Sequence, residues 1–201
     1  MTDPVRIRTL RGLSSADVAE LVGGYTSGTR YDVLWSDRRD RVAFALRRVR
    51  LRTPYRKFFP HPAEELRRYR HVVRLGWSVG AYQGGRLIGL ALAEPRAWNR
   101  SVWIWELGVA ASHRRQGVGM RLVGELTRRA RKAGFRTLVC ETQTTNGPAL
   151  EFYRRAGFRL EGVDVSYYSN EDLRTGEVAV FMKKRVPPAR KGPSARRRTS
   201  R

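Results

Sequence analysis

One short segment of the sequence combines arginines and closely spaced glycines with the start of a helical pattern. It reads His113-Arg114-Arg115-Gln116-Gly117-Val118-Gly119-Met120 and contains no acidic residue. The preceding stretch, Val102 to Val109, alternates as a strand does, and the following one, Val118 to Ala133, has apolar residues at helical spacing. A glycine-containing turn from strand to helix points backbone N–H groups and the positive end of the helix dipole at one spot. Such a turn suits a phosphate or pyrophosphate.

Taken alone, this turn has two interpretations. Its two glycines form neither the Gly-x-x-x-x-Gly-Lys-Ser/Thr loop nor a complete dinucleotide fingerprint, because Met120 to Leu122 supply no third glycine. A tight, glycine-capped turn that binds nothing is therefore the alternative to an anion site.

A second segment, Asn146 to Phe158, decides between these interpretations. It reads Asn-Gly-Pro-Ala-Leu-Glu-Phe-Tyr-Arg-Arg-Ala-Gly-Phe. Together the two segments resemble the signatures of the GNAT acetyltransferase superfamily, Arg/Gln-x-x-Gly-x-Gly/Ala followed by Asn-x-x-Ala-x-x-Phe/Leu-Tyr-x-x-x-Gly-Phe. The stretch Glu141-Thr142-Gln143-Thr144-Thr145-Asn146 and the ending Gly176 to Met182 are similar to the streptothricin-acetyltransferase-like branch. The resemblance is good from about Trp77 to Met182 and weak before it.

The resemblance implies that acetyl-CoA is the cosubstrate. The backbone from Arg114 to Gly119 would bind its pyrophosphate, and the backbone N–H of Val109 would stabilise the oxyanion formed during transfer. Asn146 would bond the pantetheine arm, and a plain helix N-cap is its compatible alternative. The full set of expected acetyl-CoA contacts is Leu107, Val109, Arg114, Arg115, Gln116, Gly117, Val118, Gly119, Met120, Asn146 and Tyr153.

Transfer of an acetyl group to an amine also needs a base and an acid. An alkyl ammonium with a pKa near 10.4 must lose a proton before it attacks, and a carboxylate can accept that proton. Glu106 and Glu141 are the candidates, since both lie on strands beside the gap that the resemblance implies. Tyr153 matches the acid that protonates the departing thiolate. The alternatives are strand-end carboxylates paired with arginines and a tyrosine that only packs in the core.

The predicted elements form one α/β (α+β) domain over residues 1–182, a mixed, mostly antiparallel twisted sheet flanked by helices. We predict strands at Val5–Leu10, Tyr31–Trp35, Val42–Leu51, Trp77–Tyr82, Leu87–Ala93, Val102–Val109, Thr137–Glu141, Phe158–Tyr168 and Glu177–Met182. We predict helices from Ser14 or Ser15 to Tyr25, from Pro60 or Pro62 to Leu75, from Val118 to Ala133 and from Asn146 to Arg155.

Two parts of the chain lie outside the resemblance. Residues 31–60 hold extra strand-like pieces that we expect to shape the acceptor side. Residues 183–201 contain nine Lys or Arg, no Asp or Glu and almost no apolar residue after Val186, which predicts a disordered basic tail. A tail of this kind attracts nucleic acid non-specifically, although arginine bias can also reflect coding composition.

Composition limits the class of protein. The 201 residues are 41% hydrophobic with a formal net charge of +23, as expected for one globular domain with a basic surface. No apolar run is long enough for a membrane span and no signal-peptide core is present, so we expect a cytoplasmic enzyme. The single cysteine, Cys140, lies in an apolar run and is expected in the core. No Cys or His cluster has metal-ligand spacing, so we expect no metal.

The leading hypothesis is an acetyl-CoA-dependent N-acetyltransferase for the primary amine of a small cationic molecule, such as a streptothricin-like antibiotic. A protein acetyltransferase acting on a lysine or an N-terminus, for example of a ribosomal protein, is the alternative. A nucleic-acid-associated binding module ranks last, because such a module needs no complete donor site. The last strands are a candidate surface for a homodimer.

Overall fold

The structure, a computed structural model, describes residues 3–188. Within that range the strands are β1 (Arg6–Thr9), β2 (Gly24–Arg38), β3 (Arg41–Phe58), β4 (Val79–Gln83), β5 (Arg86–Arg96), β6 (Ser101–Val109), β7 (Thr137–Gln143), β8 (Arg159–Asp164) and β9 (Ala179–Arg185). The helices are α1 (Ser15–Val22), α2 (Ala63–Arg74), α3 (Val118–Lys132), α4 (Gly147–Arg155) and α5 (Asp172–Thr175), with short 3-10 turns at Ala97–Asn99 and Ala111–His113.

Seven strands form the central sheet in the order β1-β4-β5-β6-β7-β9-β8. Every neighbouring pair is antiparallel except β6 and β7, which are parallel and are joined through α3. The chain crosses over between these two strands because a parallel connection needs a long segment, usually a helix. The predicted mixed, mostly antiparallel sheet is confirmed.

Helices cover both faces of this sheet. On one face α3 buries Val118, Leu122, Val123, Leu126 and Ala130, as its apolar spacing predicted. On the other face α1 and α2 pack through residues such as Val18 and Tyr69. Strand β5 serves both layers by alternation: Ala91 and Ala93 face the first, and Leu90 and Leu92 face the second. The sheet therefore has the two-sided burial of a layered α/β fold.

The region before α2 differs from the prediction. Instead of two short strands, β2 and β3 form one long antiparallel hairpin that turns at Arg39 and Asp40. Its base is attached to the loop between β7 and α4, where Tyr31 N–H donates to the Thr144 carbonyl at 2.9 Å and Gly147 N–H donates to Ser27 Oγ at 3.2 Å. Sequence alternation is weak here because most of the hairpin is solvent-exposed on both faces, so no buried face shapes the pattern.

Several predicted boundaries are wrong, including the following three. Helix α1 ends at Val22 rather than Tyr25, because Gly23 and Gly24 end it and Tyr25 belongs to β2. Strand β8 ends at Asp164, and residues 165–170 form turns. The domain continues past Met182: β9 runs to Arg185, its backbone pairs with β7, and Val186 is buried.

The charged residues near the end of β9 explain that last error. In the sequence these residues resemble the start of a basic tail. In the structure, however, Lys183 Nζ lies 3.9 Å from Glu161 Oε2, and Lys184 Nζ donates to the Ala156 carbonyl at 2.5 Å. Residues 189–201 of the predicted tail lie outside the described residues. None of the helices formed by residues 3–188 has the length and apolar character of a membrane span.

Candidate active site

The central sheet opens between β6 and β7. Their pairing covers Ser101–Ile104 against Thr137–Cys140, although both strands continue further. A bulge marks the point of divergence: on β6 Glu106 pairs with Leu92, and Ile104 pairs with Ala93, which leaves Trp105 as an extra residue. Bulges bend and twist the strand that carries them and are common beside active sites. The result is a gap in the sheet beyond Ile104 and Cys140.

Both predicted carboxylates lie where this gap begins. Glu106 follows the last paired residue of β6 by two positions, and Glu141 follows the last paired residue of β7 by one. Tyr69 of α2 donates to Glu106 Oε1 at 2.6 Å, and the hydroxyl of Tyr168 donates to Glu141. Neither carboxylate forms an ion pair with an arginine among the described residues, which argues against the simplest structural interpretation of the pair.

Strand β6 also presents backbone N–H groups to the gap. Ala110 N–H donates to the Ile88 carbonyl at 2.9 Å, so that residue faces β5. Hydrogen-bonded and non-hydrogen-bonded residues alternate along an antiparallel pair. Val109, opposite Gly89, therefore directs its N–H away from β5 and toward the gap. The N–H of Val109 thus lies on the side of β6 where the sequence analysis expected an oxyanion donor.

The turn before α3 has the conformation of an anion site. Gly117 precedes the helix with φ of 80°, a left-handed conformation that glycine adopts without a Cβ clash. The first helical hydrogen bond is donated by Arg121 N–H to the Gly117 carbonyl. The N–H groups of Val118, Gly119 and Met120 come before that bond and point out of the helix end, where an anion can accept them.

A cavity of about 700 Å³, hereafter the large cavity, extends from this turn along the gap. It is lined by eight residues that the sequence predicted to contact acetyl-CoA: Leu107, Val109, Arg114, Arg115, Gly117, Val118, Gly119 and Met120. Gln116 does not contribute to the wall, because its side-chain amide donates to the Ser112 carbonyl at 2.9 Å. The side chain of Arg114 is held in place by a 3.1 Å bond from Nε to the Val109 carbonyl.

The sequence analysis missed the opposite wall of the large cavity. The hairpin supplies Gly28, Thr29 and Arg48, and α4 supplies Pro148, Glu151, Phe152 and Arg155. The α4 residues belong to the second signature, so helical spacing could have indicated them. The hairpin residues could not be found this way, since they reach the cavity through contacts distant in sequence. Arginines on several sides give the cavity the positive charge that the phosphates of CoA require.

A central cavity of about 280 Å³ adjoins the large cavity and shares Leu107, Val109 and Phe152 with it. Glu106, Asn146 and Tyr153 line this central cavity. Asn146 also caps α4, accepting from Ala149 N–H at 3.2 Å, so its structural role is present whether or not it binds a ligand.

A narrow cavity of about 180 Å³ lies on the far side of Glu106, which lines it as well. Three carboxylates, Glu65, Glu106 and Glu141, meet here among aromatic side chains. The aromatic residues are Tyr69, Trp103, Trp105 and Tyr167, and the cationic residues Arg68 and Arg96 also line the cavity. No motif in the sequence pointed to Glu65 and Tyr69, because α2 precedes the region of resemblance. A cavity with clustered carboxylates and aromatic rings suits a cationic amine.

Burial sets the protonation of these groups. It raises the pKa of Glu106 from 4.5 to about 7, although the Tyr69 hydrogen bond lowers it and the charges of Glu65 and Glu141 raise it. Burial also raises the pKa of Glu141, opposed by the Tyr168 hydrogen bond and the charge of Lys57. Burial raises the pKa of Tyr153 well above 10, so its phenol keeps its proton.

Cys140 is fully buried against β9, and burial raises the pKa of its thiol, as expected for a core residue rather than a nucleophile. Among residues 3–188 there is no cluster of three His, Cys, Asp or Glu side chains able to hold a metal ion.

Comparison with known proteins identifies the family. Residues 43–158 match the acetyltransferase (GNAT) family. The chain is 31% identical to the streptothricin acetyltransferase of Streptomyces lavendulae over 186 residues, which cover 90% of this chain and 94% of that protein. This chain is a member of the GNAT acetyltransferase family. It is accordingly an acetyl-CoA-dependent N-acetyltransferase.

Solved structures of related acetyltransferases have the same fold. The crystal structure of nourseothricin acetyltransferase superposes with a TM-score of 0.69 at 31% identity, covering 91% of this chain and 99% of that one. A Bacillus anthracis structure described as a streptothricin acetyltransferase, in complex with acetyl coenzyme A, superposes with a TM-score of 0.67 at 22% identity, covering 90% and 99%. The GNAT fold thus extends over nearly all of this acetyltransferase.

Proposed function

We propose that this GNAT acetyltransferase acetylates a primary amine of a small polycationic acceptor of the streptothricin type. The observation that carries the proposal is the narrow cavity, in which Glu65, Glu106 and Glu141 face one another among aromatic rings. Two relatives whose names specify streptothricin as the acceptor support it, at 31% and 34% identity. A volume of about 180 Å³ accommodates an aminoalkyl group.

We assign acetyl-CoA to the large cavity. The N–H groups at the start of α3 would bind the pyrophosphate, and Arg48, Arg115 and Arg155 would add charge-assisted hydrogen bonds to phosphate oxygens. The thioester end would then lie in the central cavity beside Val109, whose N–H would donate to the carbonyl oxygen as negative charge develops on it.

We assign the role of base to Glu106. Its carboxylate lines both the central and the narrow cavity, so it lies between the acetyl group and the acceptor. A pKa of about 7 leaves a substantial fraction ionised at neutral pH while making the carboxylate a stronger proton acceptor than an exposed glutamate. Glu141 lines the narrow cavity but not the central one, and we assign it to binding the acceptor ammonium.

Tyr153 is the proposed acid for the departing thiolate. Its phenol remains protonated because burial raises its pKa. The same desolvation would raise the pKa of a thiol in the central cavity, which favours transfer of the proton to sulfur. The residue also packs against Phe152 and Phe158, with ring centroids 5.4 and 5.1 Å apart, so it has a structural role too.

The test is acetyl-CoA turnover with streptothricin, polyamines, aminoglycosides and lysine-containing peptides. We expect turnover on a small polyamine or streptothricin. Glu106→Gln should lower kcat by about 10²-fold or more, as loss of a general base does, and Glu141→Gln should mainly raise KM for the amine. Tyr153→Phe should lower kcat with little change in either KM.

Glu161→Gln, a carboxylate of β8 outside the three cavities, is the matched control and should retain wild-type kinetics. Turnover of lysine peptides with none of the small amines would replace the proposal with a protein acceptor. Full activity of Glu106→Gln would remove Glu106 from the role of base.

A further inference from the structure

Glu106 is the first member of a hydrogen-bonded chain that leaves the active site through α2. Tyr69 OH lies 2.6 Å from Glu106 Oε1 and 3.2 Å from Glu65 Oε1. Glu65 Oε2 lies 2.9 Å from His61 Nδ1, and His61 Nε2 lies 2.9 Å from the Val22 carbonyl oxygen. Glu65 also lines the narrow cavity, but binding of the acceptor there does not require its bonds to Tyr69 and His61, and His61 lines none of the three cavities.

The chemistry of the partners fixes where the protons are. The Val22 carbonyl can only accept, so His61 Nε2 carries a hydrogen. One proton must then lie between His61 Nδ1 and Glu65 Oε2, either on the imidazole or on the carboxyl group. The single hydroxyl proton of Tyr69 lies between two carboxylates and is directed to the closer one, Glu106.

The proposed reaction needs a route for one proton. An ammonium that becomes an amide loses two protons from nitrogen: one ends on the sulfur of CoA and the other is released. If Glu106 takes the released proton, it must return it to solvent before the next turnover. While the acceptor or its acetylated product fills the narrow cavity, it covers that side of the Glu106 carboxyl group. Tyr69 of α2 remains hydrogen-bonded to Glu106 throughout.

We propose that Tyr69 and Glu65 carry the proton from Glu106 to solvent, and that His61 is a positioning residue that holds Glu65 in line. The Glu106 carboxyl group gives its proton to the Tyr69 oxygen as Tyr69 gives its own to the Glu65 carboxylate. Tyr69 ends as it began, Glu106 becomes a carboxylate again, and Glu65, whose side chain is 36% exposed, releases the proton to water. The inference rests on Glu106 being the base.

The backbone at His61 is a second, independent sign that this arrangement is maintained. His61 has φ of 48°, a left-handed conformation that is unfavourable for a residue with a Cβ. Its side chain is only 8% exposed and packs between Phe59 and Tyr69, with ring centroids 6.2 and 6.0 Å away. The strained conformation directs the ring to Glu65 in the first turn of α2 and to the Val22 carbonyl at the end of α1.

Other ionisable groups around Glu106 affect its titration and must be considered in the test. Glu141 faces it from β7 and Tyr153 from α4. Further groups that line the same cavities are Tyr25 on β2, Arg68 on α2, Arg96 on β5, Arg114 before α3 and Tyr167 after β8. None of these bridges Glu106 to Glu65, so removing Tyr69 or Glu65 interrupts the chain without altering them.

Two substitutions that interrupt the chain should move the pH profile in opposite directions. Tyr69→Phe removes a hydrogen bond that stabilises the Glu106 carboxylate, so the acidic limb of kcat/KM should shift to higher pH. Glu65→Gln removes a neighbouring negative charge, so the limb should shift to lower pH. An electrostatic role alone predicts these shifts with a plateau that follows the basicity of Glu106, slightly higher in Tyr69→Phe and slightly lower in Glu65→Gln. A relay predicts in addition that both variants lower the plateau value of kcat.

The experiment measures kcat against pH in H₂O and D₂O for the wild type, Tyr69→Phe, Glu65→Gln and His61→Asn, with an amine that the wild type acetylates. We expect plateau kcat values about tenfold lower in the first two variants, with a larger solvent isotope effect. His61→Asn should have a smaller effect of the same kind. Glu64→Gln, the exposed neighbour on α2, is the control and should match the wild type.

Plateau kcat values and isotope effects equal to the wild type in both Tyr69→Phe and Glu65→Gln would overturn the relay while leaving the base assignment intact. If Tyr69→Phe fails to fold, as acetyl-CoA binding would show, the partly exposed Glu65 carries the test alone. Failure of the proposed function would be recognised separately, because the wild-type enzyme would then acetylate none of the small amines.

Discussion

At the residue scale, the site contains a carboxylate in a place where its charge is costly. Glu106 lies on β6, where Tyr69 of α2 contacts it on one side and Glu141 of β7 lies nearby, and burial raises its pKa to about 7. The fold therefore favours its neutral form, and that contribution to stability is complete below the unfolded pKa near 4.5. It is lost as the pH rises through about 7 and the buried carboxylate becomes charged. A base strong enough for the reaction is thus obtained at the expense of folding free energy at the working pH.

Glu106→Gln should consequently make the enzyme more stable while inactivating it. At pH 8 we expect the free energy of unfolding in urea to increase by on the order of 2 kcal/mol, because the amide removes a buried charge and its oxygen still accepts from Tyr69. At pH 5 the difference should fall to about a quarter of that value, because pH 5 lies close to the unfolded pKa of 4.5. The control Glu161→Gln should change stability by less than about 0.5 kcal/mol at either pH. Equal stability of Glu106→Gln and the wild type at pH 8 would contradict the raised pKa.

At the element scale, the start of α3 depends on glycine for two separate reasons. Gly117 provides the left-handed turn. Gly119 provides space, because a Cβ there would lie 3.0 Å from Phe152 Cε2 and 3.8 Å from Leu107 Cδ2, both on the wall of the large cavity. Gly124, further along the same helix, has nothing within 4 Å of such a Cβ. The same helix therefore contains one glycine, Gly119, where an added methyl group would crowd the cavity wall, and one, Gly124, where it would not.

Gly119→Ala should raise KM for acetyl-CoA by roughly tenfold, since about 1–2 kcal/mol of overpacking displaces the Phe152 ring into the cavity. Gly124→Ala should leave KM unchanged and stabilise the protein by about 0.5–1 kcal/mol through helix propensity. Steady-state kinetics and thermal unfolding of the two variants measure both effects. An unchanged KM in Gly119→Ala would mean that Phe152 does not limit the width of the cavity.

At the scale of the whole molecule, the end of the folded domain is a testable boundary. A chain that ends after Pro188 should melt and turn over like the full chain, because β9 and Val186 are intact. A chain that ends after Met182 should melt lower by about 10 °C or more, because it loses three backbone positions paired with β7 and the buried Val186. Equal melting temperatures would place the boundary at Met182. If the chain that ends after Pro188 melts normally but turns over more slowly, the removed residues 189–201 have a role in acceptor binding.

The sequence predicted the parts of this molecule that are specified locally. The turn at Gly117, the apolar stripe of α3 and the pair Glu106 and Glu141 follow from short patterns and from a family resemblance over neighbouring residues. The long hairpin and the α2 wall of the narrow cavity did not follow. Their positions depend on contacts such as Tyr69 with Glu106, 37 residues apart, which leave no periodic trace in the sequence. The end of β9 was missed because Lys183 and Lys184, which belong to the strand, have the same composition as the basic residues that follow them.

The divergence of β6 from β7 also has a consequence for how long the enzyme survives in its surroundings. The gap gives the sheet two interior edges, and backbone groups such as Val109 N–H find no partner strand there. A ligand that binds between these edges interacts with the native state alone and adds RT ln(1 + [L]/Kd) to its stability. We therefore expect acetyl-CoA to raise the resistance of this acetyltransferase to unfolding, so that the enzyme persists longest where its cosubstrate is abundant.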